Sequence, residues 1–328
     1  MTRTVTTALL SLAFSLGSTS VGAAAPAAKP AAAAATPTAI EDHFSGVERV
    51  VAVGDLHGDY DKALAALRLC RVIDGRGDWA GGKTHLVQTG DVTDRGPDSR
   101  KIMDLLMKLT PQARAAGGRV HALIGNHEAM NVFGDLRYVS DEEFAAFGDP
   151  PRGNAMPSVP LNNPKRHREA FSASGVYGRW LRGLNAVVQI NETIFLHGGL
   201  GPAYASTPLR TMNQAIRDEL SGARDFRAPG GVAMDPEGPL WYRGLALGDD
   251  ATVKDQLATL FQQQPQSQKA RRIVLGHTVQ ERGINQRLGG QLVLIDVGMS
   301  RRMNDAPASC LIIERKGTTG ADKLTALP

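Results

Sequence analysis

The sequence predicts an α/β sandwich, and two features of the chain support this fold class. Short runs rich in β-branched residues alternate with runs whose apolar residues recur at helical spacing. The composition is that of an ordinary globular protein, with 42% hydrophobic and 21% charged residues among 328. Because a single core can serve a chain of roughly 250–300 residues, we expect one large domain with insertions.

The predicted elements follow one another in a regular order. Residues 47–53 predict a buried strand, and residues 60–69 predict a helix with Leu64 and Leu67 on one face. A second helix is expected over residues 99–109, directly after Pro97 and Asp98. The other predicted strands are residues 84–88, 119–124, 186–190, 193–196, 273–275, 292–295 and 311–313.

The periodic pattern is lost between residues 134 and 182, where residues 149–164 are rich in Pro, Gly and Asn. We therefore predict a main domain over residues 45–328 with an insertion at about 134–182. The insertion should be partly helical, lie over the main body and shape the substrate groove.

The first 23 residues have the pattern of a signal peptide. Arg3 is the only charge before an apolar stretch over residues 5–16, which is too short to span a bilayer, and the small residues at 21–23 suit cleavage before Ala24. A frayed helix or an uncleaved anchor is the alternative. Residues 24–44 would form an Ala/Pro-rich linker. We expect a periplasmic or secreted protein without membrane attachment after cleavage.

Charge and cysteine content restrict the partners. The formal net charge of +4 is small for this length, and no basic stripe is interleaved with aromatic residues, so we expect no nucleic-acid partner. An oxidising compartment would permit a bridge between Cys70 and Cys310, the two cysteines of the chain. Two buried apolar thiols are the alternative, and neither cysteine has the spacing of a metal site.

Five predicted strands end in a glycine beside Asp, Asn or His. The endings are Gly54-Asp55-Leu56-His57, Gly90-Asp91-Val92-Thr93-Asp94-Arg95, Gly125-Asn126-His127-Glu128, His197-Gly198-Gly199 and Gly276-His277. Ligands of open α/β sheets gather at the carboxyl ends of strands, so we expect these side chains to converge. Each motif alone is weak, because polar residues in turns usually make local hydrogen bonds, but the ordered set is specific.

The converging residues have the chemistry of a two-metal centre. Carboxylate, amide oxygen and neutral imidazole suit hard and borderline divalent ions. Asp91 is suited to bridge the two ions. Asp55 and His57 would bind one ion together with Asp91. Three further residues would complete the coordination of the other ion, namely Asn126, His197 and His277. A hydroxide shared by the ions would be aimed at phosphorus.

The remaining polar residues of these motifs suit roles outside the metal shell. His127 would protonate the leaving group, and Asp94 would fix its tautomer. Arg95 offers a planar donor fork for phosphate oxygens, and Arg243, within Trp241-Tyr242-Arg243-Gly244, could be a second one. A surface arginine beside a core tryptophan is the alternative for Arg243. Glu128 would hold the loop through backbone donors.

These motifs resemble the phosphoprotein phosphatase family of calcineurin-like metallophosphoesterases over about residues 50–299. The extended strings Gly125-Asn126-His127-Glu128-Ala129-Met130-Asn131 and Ile295-Asp296-Val297-Gly298-Met299 are most similar to its Shewanella-like protein phosphatase branch. The resemblance implies a central β-sandwich flanked by helices, a dinuclear metal centre and direct hydrolysis of phosphomonoesters by a metal-bound hydroxide. It also implies the metal, acid and arginine roles given above.

The chain departs from the family pattern at two places. Asp59 stands where eukaryotic members commonly carry Gln. The Ser-Ala-Pro-Asn-Tyr-Cys string of eukaryotic members is missing, so Cys310 is not equated with its cysteine.

We predict an exported, metal-dependent phosphomonoesterase acting on phosphoprotein or phosphopeptide. It would use two divalent ions, manganese in vitro, with iron or zinc as alternatives. A nucleotide or dinucleoside-polyphosphate hydrolase is one competing function, and a non-catalytic metal or phosphate binder is another. The sequence leaves open the oligomeric state and the choice between phosphotyrosine and phosphoserine or phosphothreonine.

Overall fold

The computed structural model describes residues 1–2, 40–148, 164–264, 270–315 and 322–328. Residues 3–39, which contain nearly all of the predicted signal peptide and most of the predicted linker, lie outside the described residues. One compact unit is Ile40–Pro328, which begins before the predicted boundary at residue 45. The reason is that His43 and Phe44 form a short strand, in register with Gln189 and Ile190.

Strands and helices alternate as expected for an α/β fold. The strands are β1 (His43–Phe44), β2 (Arg49–Val53), β3 (His85–Gln88), β4 (Arg119–Ala122), β5 (Val187–Ile190), β6 (Thr193–Leu196), β7 (Arg272–Leu275), β8 (Asn285–Arg287), β9 (Leu292–Leu294), β10 (Cys310–Glu314) and β11 (Lys323–Leu327). The helices are α1 (Tyr60–Leu69), α2 (Ser99–Ala115), α3 (Asn126–Phe133), α4 (Asp141–Ala146), α5 (Lys165–Phe171), α6 (Val176–Arg182), α7 (Leu209–Ser221), α8 (Gly244–Leu247) and α9 (Asp250–Gln263).

The strands form two mixed sheets, which confirms the predicted β-sandwich flanked by helices. One sheet has the order β1-β5-β6-β7-β9-β8 and the other the order β11-β10-β2-β3-β4. In the second sheet β2, β3 and β4 are parallel, and in the first β6, β7 and β9 are parallel. The loops that leave the carboxyl ends of β2, β3, β4, β6 and β7 carry the polar motifs.

The core between the sheets follows from the alternation of side chains along each strand. In β2, Val50 and Ala52 face the same apolar cluster as Phe195 and Val274 of the other sheet. Val51 and Val53 face the opposite side, in the cluster that includes helical residues. Because both faces of β2 are buried, the strand reads as a continuous apolar run.

Helices cover the outer faces of the sandwich. Helices α1 and α2 pack together, with α1 against β10 and α2 against β4, while α7 packs against β5. Helix α2 continues to Ala115, beyond the predicted end at residue 109 and through Pro111, because Ala113 is buried on the same side as Leu106 and Leu109. None of the described helices is long and apolar enough to cross a membrane.

The described part of the predicted insertion is helical, as expected, and supplies α4, α5 and α6. Residues 149–163 lie outside the described residues. A small apolar cluster of Leu136, Val139 and Phe144 fixes the start of the insertion. Its position matters because the same segment passes beside the predicted catalytic residues.

Candidate metal and phosphate site

The structure brings all six predicted metal ligands together at the carboxyl ends of the parallel strands. Asp55 and His57 follow β2, Asp91 follows β3, Asn126 opens α3 after β4, and the remaining two follow the other sheet, His197 after β6 and His277 after β7. Each is at most 6% exposed. Polar groups this deeply buried require partners, and the partners of these side chains are mainly other members of the same cluster.

Asp91 lies at the centre of the cluster. Its Oδ2 is 3.7 Å from Nε2 of His57 and 3.2 Å from Nε2 of His197. Asp91 is also common to two groups whose ligand atoms lie within 4.8 Å of one another, one with His57 and His127 and the other with His197 and His277. A carboxylate shared by two adjoining ligand groups is the arrangement that a bridged pair of cations needs.

Asp55 and Asn126 connect the other predicted ligands to this centre. Asp55 Oδ2 is 4.0 Å from His57 Nε2, and the backbone N–H of His277 donates to both Asp55 oxygens at 3.1 and 3.2 Å. Asn126 Oδ1 is 2.8 Å from Nε2 of His197. Gly276 permits this approach, because a Cβ there would lie 2.4 Å from Asp55 Oδ1.

The electrostatics of the cluster match a cation site. Burial, together with the charges of Asp296 and Asp91, raises the pKa of Asp55 well above its ordinary value. Burial lowers the pKa of His57 to about 3 and that of His277 to about 2, so both imidazoles are neutral and keep a lone pair. Crowded acids beside neutral imidazoles are the donor set that divalent metals take.

Two histidine ring nitrogens are oriented by backbone carbonyls. His57 Nδ1 lies 3.1 Å from the carbonyl of Thr93, and His197 Nδ1 lies 3.0 Å from that of Thr89. A proton on each Nδ1 leaves Nε2 free towards the cluster. This fixing of the tautomer by the second nitrogen is the usual arrangement of metal-binding histidines.

His127 and Asp94 form a buried pair beside the cluster. His127 Nδ1 is 2.6 Å from Asp94 Oδ2, and Asn131 Nδ2 donates to Asp94 Oδ1 at 2.7 Å. Although burial acts to lower it, the charge of Asp91 and the bond to Asp94 raise the pKa of His127. Its Nε2 faces the cluster, 3.8 Å from Asp91 Oδ2. Sequence analysis did not single out Asn131, although it lies one helical turn after His127.

Glu128 holds the Asp91 loop, as the sequence predicts. Its buried carboxylate accepts the backbone N–H groups of Gly125, Asp91, Val92 and Thr93 at 2.8–3.0 Å, and the Thr93 hydroxyl at 3.0 Å. Burial and the charge of Asp91 raise the pKa of Glu128, against the effect of these donors. The five hydrogen bonds tie the β3 loop to the start of α3.

The two predicted arginines lie in different surroundings. Arg95 is half-buried, its guanidinium lies 5.1 Å from the ring centre of Tyr138, and its buried Nε has no hydrogen-bond partner among the described residues. Arg243 is exposed, and its Nη1 donates to the carbonyl of His277 at 2.6 Å and to Thr278 Oγ1 at 3.0 Å. Arg95 therefore has an unused donor, whereas Arg243 is tied to the His277 loop.

Asp59, the residue that departs from the eukaryotic pattern, is held by an arginine. It caps α1 by accepting the Lys62 N–H, and it accepts the backbone N–H, Nε and Nη2 of Arg301, each at 2.9 Å. Although burial acts to raise it, the hydrogen bonds from Arg301 hold the pKa of Asp59 below its usual range. Asp59 therefore anchors the loop after β9.

Asp296 in the loop after β9 is a second carboxylate that sequence analysis did not assign. It is 2% exposed, accepts the N–H of Gly298 at 2.8 Å, and its charge acts on Asp55. Burial raises its own pKa to about 6. In the sequence, the one feature that drew attention to Asp296 was its place in the string Ile295-Asp296-Val297-Gly298-Met299, which resembles the family.

The two cysteines are buried and free, which agrees with the alternative of two apolar thiols. They are also neighbours: a hydrogen bond with Cys310, and burial, raise the pKa of Cys70. The Cys70 thiol donates to the carbonyl of Ala66 at 2.9 Å. They take no part in the polar cluster.

Comparison with known proteins agrees with this geometry. The model of the family described as calcineurin-like phosphoesterase matches residues 48–293. Shewanella-like protein phosphatase 2 of Arabidopsis thaliana is 30% identical over 305 residues, covering 84% of this chain and 78% of the relative. Shewanella-like protein phosphatase 1 of Plasmodium berghei is 28% identical, covering 79% and 69%.

Solved structures show the same relationship. The cold-active protein tyrosine phosphatase of a psychrophilic Shewanella species is 30% identical, with a TM-score of 0.68, and covers 84% of this chain and 78% of that one. A protein serine/threonine phosphatase from Saccharomyces cerevisiae, 14% identical with a TM-score of 0.53 over 87% and 82%, shares the fold. The chain is a phosphatase that belongs to the calcineurin-like phosphoesterase family, in its Shewanella-like protein phosphatase branch.

Proposed function

We propose that this phosphatase hydrolyses phosphate monoesters on proteins or peptides with the help of two divalent cations. The observation that carries the proposal is the position of Asp91, whose carboxylate lies within 4.8 Å of ring nitrogens of His57, His197 and His277. The names of its relatives, protein phosphatases at about 30% identity, support a phosphoprotein substrate. The family depends on a dinuclear metal centre, and the donor set described above fits one.

Six residues would hold the metals. Asp55, His57 and Asp91 would bind one cation, and three residues would bind the other together with Asp91, namely Asn126, His197 and His277. The cations, manganese in vitro or iron or zinc, would activate water for direct attack on phosphorus, so that no covalent enzyme intermediate forms.

Residues of the chain itself would donate the proton and bind the phosphate. Nε2 of His127 would donate a proton to the leaving-group oxygen as its bond to phosphorus breaks, while Asp94 holds the imidazolium. Arg95, which is half-buried, would direct its guanidinium at a phosphate oxygen, and Arg243 would supply further donors at the rim. A simple metal or phosphate binder has no use for the His127 and Asp94 pair.

The test is turnover of p-nitrophenyl phosphate, phosphopeptides and dinucleoside polyphosphates, with metal content measured on the same sample. Asp91→Asn should lose both metal and turnover, because one residue serves both ligand groups. Asp61→Asn, at a side chain 74% exposed, is the matched control and should keep both. Metal binding without turnover would favour a binder, and far faster cleavage of dinucleoside polyphosphates would favour the competing hydrolase.

We also propose that residues 1–23 direct export to the periplasm or the medium and are then removed. The charge and apolar pattern of this segment supports the proposal. Cell fractionation with N-terminal sequencing tests it, and an intact Met1 on protein from the cytoplasm would refute it.

A further inference from the structure

The turn at residues 91–95 carries both the carboxylate that supports His127 and the arginine proposed to bind phosphate. Asp94 (φ 72°) and Arg95 (φ 68°) have a positive φ, which non-glycine residues adopt only where their surroundings enforce it. Buried backbone N–H groups also need hydrogen-bond acceptors. The acceptors of the N–H groups in this turn therefore indicate what enforces its shape.

The N–H groups of the turn interact with two different parts of the chain. Those of residues 91–93 donate to Glu128 of α3. That of Arg95 donates at 2.9 Å to the backbone carbonyl of Tyr138, which belongs to the insertion. The ring centre of Tyr138 also lies 5.0 Å from that of His127. The insertion therefore contacts the second half of the turn, which leaves the N–H of Asp94 to be accounted for.

Glu143 in helix α4 of the insertion is the residue that offers an acceptor to the Asp94 N–H. It is 0% exposed, and the Asp94 N–H and the Ser99 hydroxyl act on its carboxyl group and lower the pKa of Glu143. Burial, together with the charge of Asp94, outweighs these donors and raises this pKa well above its ordinary value. The neutral form of Glu143 is therefore favoured, and it adds no second negative charge beside Asp94.

The contacts of Glu143 are longer or less well aligned than ordinary hydrogen bonds. Within the part of the chain that the structure describes, neither Glu143 oxygen has a partner of ordinary geometry, and neither has the buried Oγ of Ser99. A buried polar group of this kind costs stability. A role in the neighbouring site explains the presence of Glu143 better than packing does, because an apolar side chain would pack without this cost.

Helix α4 is fixed around Glu143. The backbone N–H of Glu143 donates to Oγ of Ser140 at 3.1 Å, which caps the start of the helix. At the other end, Nη1 of Arg100 donates to the carbonyl of Ala146 at 3.0 Å. Nε2 of the buried His167 lies 3.9 Å from Glu143 Oε1. The carboxyl group of Glu143 is therefore held in place by the main body and by α5.

We propose that Glu143 is a positioning residue, whose carboxyl oxygen holds the N–H of Asp94 and thereby keeps the His127–Asp94 pair aligned for proton donation. The inference rests on the proposed function and adds a residue to it. Glu128 would secure the first half of the turn, and the insertion would secure the second half through Glu143 and the Tyr138 carbonyl. Loss of Glu143 should therefore matter most where the leaving group needs a proton.

The first experiment compares Glu143→Met, Glu143→Gln and Glu142→Gln with the natural chain. Methionine keeps the length of the side chain but offers no strong acceptor. Glutamine keeps one oxygen for the Asp94 N–H and can donate its NH2 to Oγ of Ser99. Glu142→Gln is the matched control, because Glu142 is the preceding residue of the same helix, is 57% exposed and pairs with the exposed Arg302.

The substrates are p-nitrophenyl phosphate, which has a good leaving group, and a primary alkyl phosphate, which has a poor one. A small displacement of His127 predicts that Glu143→Met lowers kcat for the alkyl ester by about 10- to 100-fold and for p-nitrophenyl phosphate by less than about threefold. Its metal content should not change. Both glutamine variants should match the natural chain on both substrates. Equal losses on the two substrates, no loss on the alkyl ester, or the same loss in Glu143→Gln as in Glu143→Met would overturn the inference.

The second experiment observes the His127–Asp94 pair directly and needs no turnover. In zinc-loaded protein, the proton on Nδ1 of His127, in its 2.6 Å bond to Asp94, should give a low-field NMR resonance that is absent from His127→Ala. This resonance should shift or broaden in Glu143→Met and keep its position in both glutamine variants. Thermal unfolding of the same samples verifies that each variant is folded, and Glu143→Leu replaces the methionine variant if that one is not. An unchanged resonance in the folded variant would mean that Glu143 does not act through Asp94, and the inference would be wrong.

The two experiments separate this inference from the function on which it rests. If the natural chain with bound metal turns over neither ester, the proposed function is wrong, but the resonance of His127 still tests the action of Glu143 on Asp94. If the natural chain is active and the ratio of the two rates is the same in Glu143→Met, the function stands and the positioning role is wrong.

Discussion

Glu128 offers the sharpest test of how the site is held, because one buried carboxylate accepts five hydrogen bonds. Oε1 takes three donors, from Val92 and Thr93, and Oε2 takes the N–H groups of Asp91 and Gly125. In Glu128→Gln an amide NH2 replaces one oxygen. Even if the amide takes the orientation that keeps more of the hydrogen bonds, two buried backbone N–H groups would face its NH2 group, which is itself a donor.

The expected loss follows from the hydrogen bonds that the variant cannot make. A buried polar group left unpaired costs about 1–3 kcal/mol, so two cost about 2–6 kcal/mol. The whole free energy of unfolding of a domain is about 5–15 kcal/mol. For a chain of this size each kcal/mol lowers Tm by about 2–4 °C, so we expect Tm to fall by at least about 4 °C.

The assay is thermal unfolding in the presence of a chelator, so that metal binding does not mask the difference. Glu169→Gln is the matched control, because that side chain is 63% exposed and its ion pair with Lys165 contributes little. We expect the control to have the same Tm as the natural chain. A Glu128→Gln variant that melts within about 2 °C of the natural chain would refute the reasoning, since roughly 1 kcal/mol is less than the two lost bonds require.

Three other predictions concern the site and its anchors. His127→Ala should keep its metal but lose on the order of 10²–10⁴ in kcat for poor leaving groups and less for p-nitrophenyl phosphate; an equal loss for both would remove it from the acid role. Arg95→Ala should raise the inhibition constant of inorganic phosphate, and an unchanged constant would contradict its role in phosphate binding. Arg301 holds the pKa of Asp59 low, so the pair stabilises the folded chain above about pH 4 and loses this effect as the pH falls through the lowered pKa. Arg301→Ala should therefore lower the free energy of unfolding, measured in urea, at neutral pH and lower it much less in acid. An equal decrease at the two pH values would contradict the assignment.

Most of the fold could be predicted because its central strands are buried on both faces. Residues 50–53 and 194–196 are uninterrupted apolar runs, and both lie within strands of the structure. Strands β1, β8 and β11 were not predicted. The three residues of β8 are all polar, and the pairing of β8 with β9 is decided by contacts between segments, not by its own pattern.

The convergence of the six candidate ligands could be predicted because their motifs lie at strand ends, where sheet topology brings them together. The residues that sequence analysis left unassigned act through distant contacts. Arg301 meets Asp59 across 242 positions of the chain, and Asn131 reaches Asp94 across 37. Tyr138 lies in the insertion, where the periodic pattern fails, so its place beside His127 depended on the packing of Leu136 and Val139.

The backbone conformation of the site also has a free-energy cost that the sequence does not reveal. Five non-glycine residues of the site have a positive φ, namely His57 (φ 40°), Asp91 (φ 55°), Asp94 (φ 72°), Arg95 (φ 68°) and His277 (φ 66°). Each costs about 1 kcal/mol or more, and it persists only where the surroundings enforce it. For Asp91 the surroundings include Glu128, which binds its N–H and those of the next two residues.

This strain distinguishes two ways of losing activity. If Glu128 is what keeps Asp91 and the following turn in their strained form, Glu128→Gln should release the shared metal ligand and the Asp94 support of His127 together. His127→Ala removes the acid alone and leaves the Asp91 turn in place. Metal affinity and the leaving-group dependence of kcat should therefore change together in Glu128→Gln, whereas in His127→Ala only the second should change. A Glu128→Gln variant with natural metal affinity would show that the sheet itself, and not this carboxylate, enforces the turn.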